Sequence, residues 1–536
     1  MLDFGVRFGA LVRQKRAVEG LTQEQLAFKA FGPGGRKAQI SDLERGKIAN
    51  PQAKIVDALV VALEISDDDL RACREPVELP SGEDRPDLPP LLLENLAMRF
   101  GIASPDAPAA ELEAYLREAA KDYKDMKARL DALAEADGRI ANLVGAAKGA
   151  LDQGDFDEAD ARLADAEEIQ QTEHTLVQVR KQAELRTERG KAALMNFDVE
   201  TAYGHFCEAA AFFEPFDKVQ SGQQLYEKGI TVYYHAERFA GDGLQRAIDL
   251  WIRCERVWSR EANPEKWGRA QNALGNGLRL LGTRSHGQEG IDALARAVTA
   301  YRAALEVRAR EAMPADWAMI QNNLGAALQN QGIRAEGEAG LALLADAVAA
   351  YRAALEVYTQ ETMAVLWAAT QNNLGNALAN QGGRAEGEAG LKLLAEAVTA
   401  YRAALEVYTR DAMPVDWAMT QNNLGNALAN QGIRAEGEAS LKLLAEAVIA
   451  YRAALEVRTQ NAMPVAWAES NECLCWAFQA MAERDKETAE SHLDSALSHI
   501  DLALEVYDPE HMSYRFNIAT GLREKIVESL AALGDG

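Results

Sequence analysis

The chain of 536 residues is poor in several things, and each shortage excludes a class of protein. Five cysteines (Cys73, Cys207, Cys254, Cys473, Cys475) are an odd number with no CxxC spacing, which indicates neither a disulfide framework nor a zinc site. No run approaches the roughly 18 uninterrupted apolar residues of a membrane-spanning helix. The best candidate, Ile55 to Ile65, is broken by Asp57 and Glu64. The N-terminal stretch MLDFGVRFGALVRQKR lacks the apolar core of a signal peptide, and the expectation is a cytoplasmic chain. Aromatics are scarce at 7%, while Ala, Leu, Glu and Arg dominate, a balance that favours helix.

Motifs for chemistry are missing too. GxxxxGK[ST], HExxH and GxSxG do not occur, and GPGGRK lacks the spacing to cradle a phosphate. The seven histidines are scattered, with no cysteine or acid cluster to match them. The expectation is a chain that is no enzyme and has neither metal nor cofactor. The many carboxylates are read as solvated helical faces.

Basic charge is short overall, and the net charge of −25 argues against a generic polyanion binder. The distribution is uneven. Residues 1–54 carry +5, and the other 482 carry −30. A small basic head precedes a large acidic body.

What is present in abundance is repetition. Trp267, Trp317, Trp367, Trp417 and Trp467 stand fifty residues apart, as do Tyr301, Tyr351, Tyr401 and Tyr451. Windows 367–416 and 417–466 agree at 42 of 50 positions, so recurrence of a residue is no proof that every copy is used. Each unit holds two helical patterns. In the first, Trp417, Gln421, Leu424 and Leu428 form one stripe, with Pro414 near the start and Gly432 expected just past the end. In the second, Leu444, Ala447, Val448, Tyr451, Ala454 and Leu455 follow i, i+3, i+4 spacing. Gly425 followed by Ala447, Tyr451 and Ala454 resembles the signature of tetratricopeptide repeats (TPRs), whose usual unit is about 34 residues. The segment Gly432 to Leu444 inserts about ten residues between the helices and lengthens the second. Weaker copies extend upstream to about residue 139, which makes roughly eight repeats over 139–507.

The head carries a second resemblance. Five short helical patterns occupy residues 4–70. Thr22, with Gln25 three residues on, forms a capping box. The string LTQEQLA…QISDLERGK…NP…ALVVALEIS resembles the phage-repressor (Cro-like, XRE-class) helix-turn-helix domain over about 70 residues. That resemblance implies DNA binding through residues of the matching positions. Gln23 would hold a phosphate, and Arg36, Lys37, Gln39 and Asp42, with Ala38, would fall on the helix that enters the major groove. Lys47 and Asn50 would make further backbone contacts. Glu44 matches a buried acid expected to pair with Arg13. The turn FGPGG (31–35) is about three residues longer than the family's. A protein-binding domain that reuses the fold is the alternative.

The implied fold class is all-α: an N-terminal five-helix helix-turn-helix domain followed by an α-α superhelical TPR solenoid. The expected organisation is a DNA-binding domain at 1–75, a Pro- and acid-rich linker at 76–90 and a helical connector at 91–138. Degenerate TPRs follow at 139–258, expanded fifty-residue TPRs at 259–507 and a capping helix at 508–536. In the connector, Leu112, Leu116, Ala119, Tyr123, Met126, Leu130 and Leu133 alternate spacings of four and three, a heptad seam. It either forms a homodimer through 112–133 or packs on the first repeats. Asparagines form i, i+4 pairs on the first helices at Asn272/Asn276, Asn372/Asn376 and Asn422/Asn426, while Asn322 has Ala326 as its mate. The TPR resemblance implies that such residues line a concave groove and hold a peptide or protein, since an amide both donates and accepts. An inter-repeat ladder without ligand is the other reading. Asn323, Asn373 and Asn423 are taken as structural, and Arg334, Arg384 and Arg434 as local ion pairs with acids two and four residues on.

These modules together give two functional expectations. The first is a cytoplasmic transcriptional regulator that binds operator DNA and senses a peptide or protein through its TPRs. The second is a TPR scaffold or adaptor, for example in bacterial defence or stress signalling, with a vestigial or self-regulatory head.

Overall fold

The computed structural model describes residues 4–45, 47–74, 86–103, 109–134, 138–170, 176–239 and 243–534. Among them the secondary structure is all helical, with no strand. Most of the linker expected at 76–90 lies outside the described residues. The chain divides into two compact units, Met1–Gly277 and Leu278–Gly536.

The first unit opens with five short helices: α1 (Phe4–Val18), α2 (Gln23–Phe31), α3 (Lys37–Glu44), α4 (Ala53–Ala62) and α5 (Asp67–Arg74). They enclose one small core that includes Phe8, Leu11, Leu26, Ile40, Leu43 and Leu59. The capping box forms: Thr22 Oγ1 accepts from the Gln25 N–H, and Gln25 Oε1 accepts from the Thr22 N–H. Helices α6 (Pro90–Ala103) and α7 (Ala109–Ala134) follow, then three helical hairpins. These are α8 (Gly138–Asp152) with α9 (Phe156–Gln170), α10 (Leu176–Met195) with α11 (Val199–Ala211), and α12 (Lys218–Arg238) with α13 (Gly243–Val257).

Helix α14 (Pro264–Arg284) contains the division between the units, and α15 (Gly287–Val307) begins the regular part of the second. Its hairpins are α16 (Pro314–Arg334) with α17 (Gly337–Leu355), α18 (Gln360–Arg384) with α19 (Gly387–Leu405), α20 (Pro414–Arg434) with α21 (Gly437–Leu455), and α22 (Pro464–Arg484) with α23 (Ala489–Leu504); α24 (Ser513–Gly534) packs last. The residues that carry the TPR resemblance are the ones that join the two helices of a hairpin. Ala447 and Ala454 are fully buried and Tyr451 is 2% exposed. A methyl group at Gly425 would lie 2.6 Å from the Tyr451 ring, so only glycine admits that approach.

The ten extra residues of each unit became helix. Gly432 does not end its helix; α20 runs on to Arg434, and Gly432 packs against Leu444. Only Ala435 and Glu436 separate α20 from α21, whose first residue, Gly437, sits at φ +62°. That left-handed backbone makes the turn in two residues, and the spare length goes into the helix ends.

Those ends are held by the neighbouring repeat. Arg384 Nη1 donates to the carbonyls of Gly332 (2.7 Å) and Ala335 (2.9 Å), and Arg434 Nη1 does the same to Gly382 (2.6 Å) and Ala385 (2.9 Å). Arg334 and Arg484 reach Thr283 O and Ile433 O. The local ion pairs expected for Arg334, Arg384 and Arg434 are therefore corrected. The carbonyls at the end of a helix lack intrahelical donors, and a guanidinium fork one repeat on supplies them. At the last of these junctions Ser440 stands where the others have Gly340 and Gly390, and its hydroxyl takes the Gly432 carbonyl at 2.6 Å.

Candidate functional site

In the N-terminal domain the register of α3 separates two faces. Ile40, Leu43 and Glu44 are buried, whereas Lys37, Ala38 and Gln39 are exposed, as is Arg36 at the N-cap. Arg36 lies over the Phe31 ring and near Gln39 Oε1, and Lys37 Nζ stands 3.3 Å from an exposed Glu24 carboxylate. Asp42 pairs with Arg45 at 3.1 Å, and Lys47 and Asn50 are exposed beyond the helix. Gln23 is tied inward, its Nε2 donating to Glu44 Oε2 at 2.7 Å.

Glu44 is buried as expected, but its arginine is a different one. Arg16 donates to it through Nε (2.6 Å) and Nη2 (3.0 Å), whereas Arg13 makes a two-pronged ion pair with Asp157 at the start of α9. Three residues turn a helix by about 300°, so the two arginines leave α1 on faces about 60° apart. One faces α3 and the other the first hairpin.

The heptad seam is spent inside the chain. Leu112, Leu116, Ala119, Tyr123, Met126, Leu130 and Leu133 are all buried, in one core with α6, Val144 and Ala147 of α8, and Leu163 of α9. Packing on the first repeats, not pairing of two copies, occupies that stripe, which removes the basis for a dimer through 112–133. Several carboxylates read as solvated are also buried. Glu167, 1% exposed, receives Arg186 Nε and Arg189 Nη1, both at 2.9 Å. Burial raises the carboxyl of Asp160, but hydrogen bonds from His205 and Arg189 outweigh it and hold the group at about 2.

The asparagine pairs divide by position. Thr370 Oγ1 and Asn373 Nδ2 both donate to Asn322 Oδ1 at 3.3 Å, and Thr420 and Asn423 do the same to Asn372. Ser470 Oγ donates to Asn422 Oδ1 at 2.8 Å. Asn372 and Asn422 are buried, so these first members of their pairs, with Asn322 and the neighbouring Asn373 and Asn423, build the ladder between repeats. The second member behaves differently. Asn376 Oδ1 accepts from the Tyr401 hydroxyl (2.7 Å) and Asn426 Oδ1 from Tyr451 (2.8 Å), and both asparagines are half-buried. Both line a cavity of about 440 Å³ between α18, α20 and α22. Asn272 and Asn276, on α14 in the first unit, are half-buried, and neither lines this cavity.

Among the contributors to the cavity that the sequence reading missed are Asn380, Asn430, Ile433 and Trp476. Trp476 is 47% exposed and Ile433 45%, so the wall they share leaves apolar surface open to water. The available signal was a break in the metronome: counted by fifties, position 476 follows Asn376 and Asn426. Cys473 in the same wall has its thiol pushed up to about 12 by burial, so it is protonated and a poor nucleophile. Among the described residues no group of side chains could hold a metal ion, and no helix is long and apolar enough to cross a membrane.

No protein-family model and no curated protein matches this chain. Among solved structures it is similar to a signal transduction ATPase (STAND) protein with a tetratricopeptide repeat sensor from Pyrococcus horikoshii. The identity is 11%, over 82% of this chain and 67% of that one, with a TM-score of 0.32. It is similar also to a circular tandem repeat protein (17%, 83% and 95%, TM-score 0.27). A third is a Rap protein complexed with competence and sporulation factor (12%, 77% and 99%, TM-score 0.28). Scores this low assign no fold, and the architecture stands on the helix pairing itself.

Proposed function

We propose that this chain is a cytoplasmic, non-enzymatic regulator that binds double-stranded DNA through its N-terminal domain and a peptide or protein on its repeats. One observation carries the first half. Lys37, Ala38 and Gln39, with Arg36 at the cap, form an exposed face on a helix whose opposite side is anchored by Ile40 and Leu43. Arg and Gln suit bidentate contacts to guanine and adenine. The +5 charge of residues 1–54, against −30 on the rest, supplies attraction where that face lies and keeps the body off the phosphates. The amide-lined cavity supports the second half.

The test is selection of duplex DNA from a random pool by the full chain, followed by mobility-shift titration. Arg36→Ala/Lys37→Ala removes two contacts of about 1–3 kcal/mol each, so affinity for the selected site falls at least about thirty-fold. Equal binding by parent and double variant sinks the assignment. A scaffold with a self-regulatory head is favoured by another feature, the Arg13–Asp157 pair that ties the head to the first hairpin. Failure to select any DNA site, with stoichiometric capture of a protein partner, selects that reading.

A further inference from the structure

The cavity between α18, α20 and α22 has a chemistry more specific than a general groove. Its lining contains no Asp, Glu, Lys, Arg or His, although charged residues make up 26% of the chain. The two amides at its centre are oriented by buried tyrosines. Each hydroxyl donates to an amide oxygen, and burial raises both phenols, so they stay donors. With the oxygens of Asn376 and Asn426 engaged, these two amides have their Nδ2 hydrogens to give, whereas Asn380, whose Nδ2 donates to the Asn376 carbonyl at 2.8 Å, has its oxygen left to accept. An uncharged wall of amides that donates and accepts suits a peptide backbone, whose carbonyls meet the two Nδ2 groups.

The repeat register also sets where this wall stops. At successive intervals of fifty the residues are Ala326, Asn376, Asn426 and Trp476. A methyl group ends the amide row on one side, and a half-exposed indole ends it on the other. The row is therefore two rungs long. Its volume of about 440 Å³ falls within the roughly 300–1,000 Å³ of ligand pockets, room for a few residues of chain.

We infer that this cavity binds a short, uncharged peptide segment, whose backbone carbonyls accept from Asn376 and Asn426 and whose apolar or aromatic side chain lies on Trp476 and Ile433. The inference rests on the peptide-binding half of the proposed function and names its ligand class. A phosphate-bearing ligand would find no cation here, and an acidic or basic peptide no partner for its charge. Trp476 is the anchor: a large rigid surface left in water is recovered when an apolar side chain covers it.

The experiment uses the full chain, immobilised and offered equimolar pools of N-acetylated, C-amidated random hexapeptides of uncharged, acidic and basic composition. Mass spectrometry reads the retained peptides, and titration calorimetry gives the affinity of the most enriched one. The expected result is enrichment of uncharged, aromatic-containing sequences at least about five-fold over either charged pool. Asn426→Asp keeps the shape and the tyrosine bond but replaces donors with an acceptor, and it should weaken binding at least tenfold, as should Trp476→Ala. Both variants are first checked for parent-like hydrogen exchange in α18 to α22; if one is destabilised, Trp476→Asn, which exchanges the indole anchor for a third amide rung, takes its place and should shift the retained set toward fewer aromatics. Retention of charged peptides, no retention at all, or parent-like affinity in the variants overturns the inference. Arg36→Ala/Lys37→Ala should retain the same peptides as the parent, which separates this outcome from the fate of the DNA reading.

Discussion

Gly425→Ala sets two effects of known size against each other. In the middle of a helix, alanine is favoured over glycine by up to about 1 kcal/mol. At this position the new methyl group would stand 2.6 Å from Cε1, 2.7 Å from Cδ1 and 2.9 Å from Cζ of Tyr451. Carbon atoms in contact prefer roughly 3.5–4.0 Å, so the ring must move. It has little room, being 2% exposed and tied through its hydroxyl to Asn426. Overpacking of this kind costs about 1–3 kcal/mol, and with so little room for the ring the cost falls in the upper part of that range, so the net loss should be about 1–2 kcal/mol after the propensity gain. Gly383→Ala is the control. Nothing lies within 4 Å of the added methyl there, so the propensity gain stands alone and should stabilise by at most about 1 kcal/mol. An array of repeats need not unfold in one step, so the assay is native-state hydrogen exchange on α18 to α21, not a single melting temperature. The two variants should shift protection in opposite directions. Equal or greater protection in Gly425→Ala would refute the claim that Gly–Tyr contact, and not helix propensity, selects glycine here.

Two further outcomes follow from charged groups. Asp160 is held at about 2 by His205 and Arg189 despite burial, below the ordinary 3.8. A depressed carboxyl contributes stability that is present above its unfolded value and lost as pH falls toward its folded one. About 2 kcal/mol should therefore disappear between roughly pH 4 and pH 2, and denaturant titrations across that window should show a flatter acid limb in Asp160→Asn. Arg384→Ala leaves the end carbonyls of α16 to water. With the guanidinium largely exposed, the cost should be about 1 kcal/mol, seen as faster exchange in the last turn of α16 with α20 unaffected.

How far these features could be read beforehand depends on what periodicity encodes. The paired helices and their buried faces follow from i, i+3, i+4 spacing, and duplication printed the pattern several times. Periodicity does not say where a helix stops. Gly432 looked like a terminator, yet Leu444 and the arginine one repeat on hold the chain helical to Arg434. Nor does a heptad seam say whose surface it meets, since intramolecular and intermolecular packing use the same spacing. The asparagine pairs show a finer limit. Residues four apart share a helix face but differ by about 40° around the axis. That angle suffices to bury Asn372 between repeats and leave Asn376 at the cavity wall. Trp476 breaks the fifty-residue period, and a pattern built on recurrence gives no weight to the copy that differs.

The junctions between repeats have a consequence for heredity. Residues 367–416 and 417–466 agree at 42 of 50 positions; each closes its own hairpin with the same Gly–Tyr contact and supplies the same arginine fork and Asn–Thr ladder to its neighbours. A product that lost or gained one unit would still present matching surfaces at every joint, so array length can change in steps of fifty residues without a new interface having to be invented. What such a step would alter is the number of amide rungs between Ala326 and Trp476, and with it the length of segment that the cavity accepts.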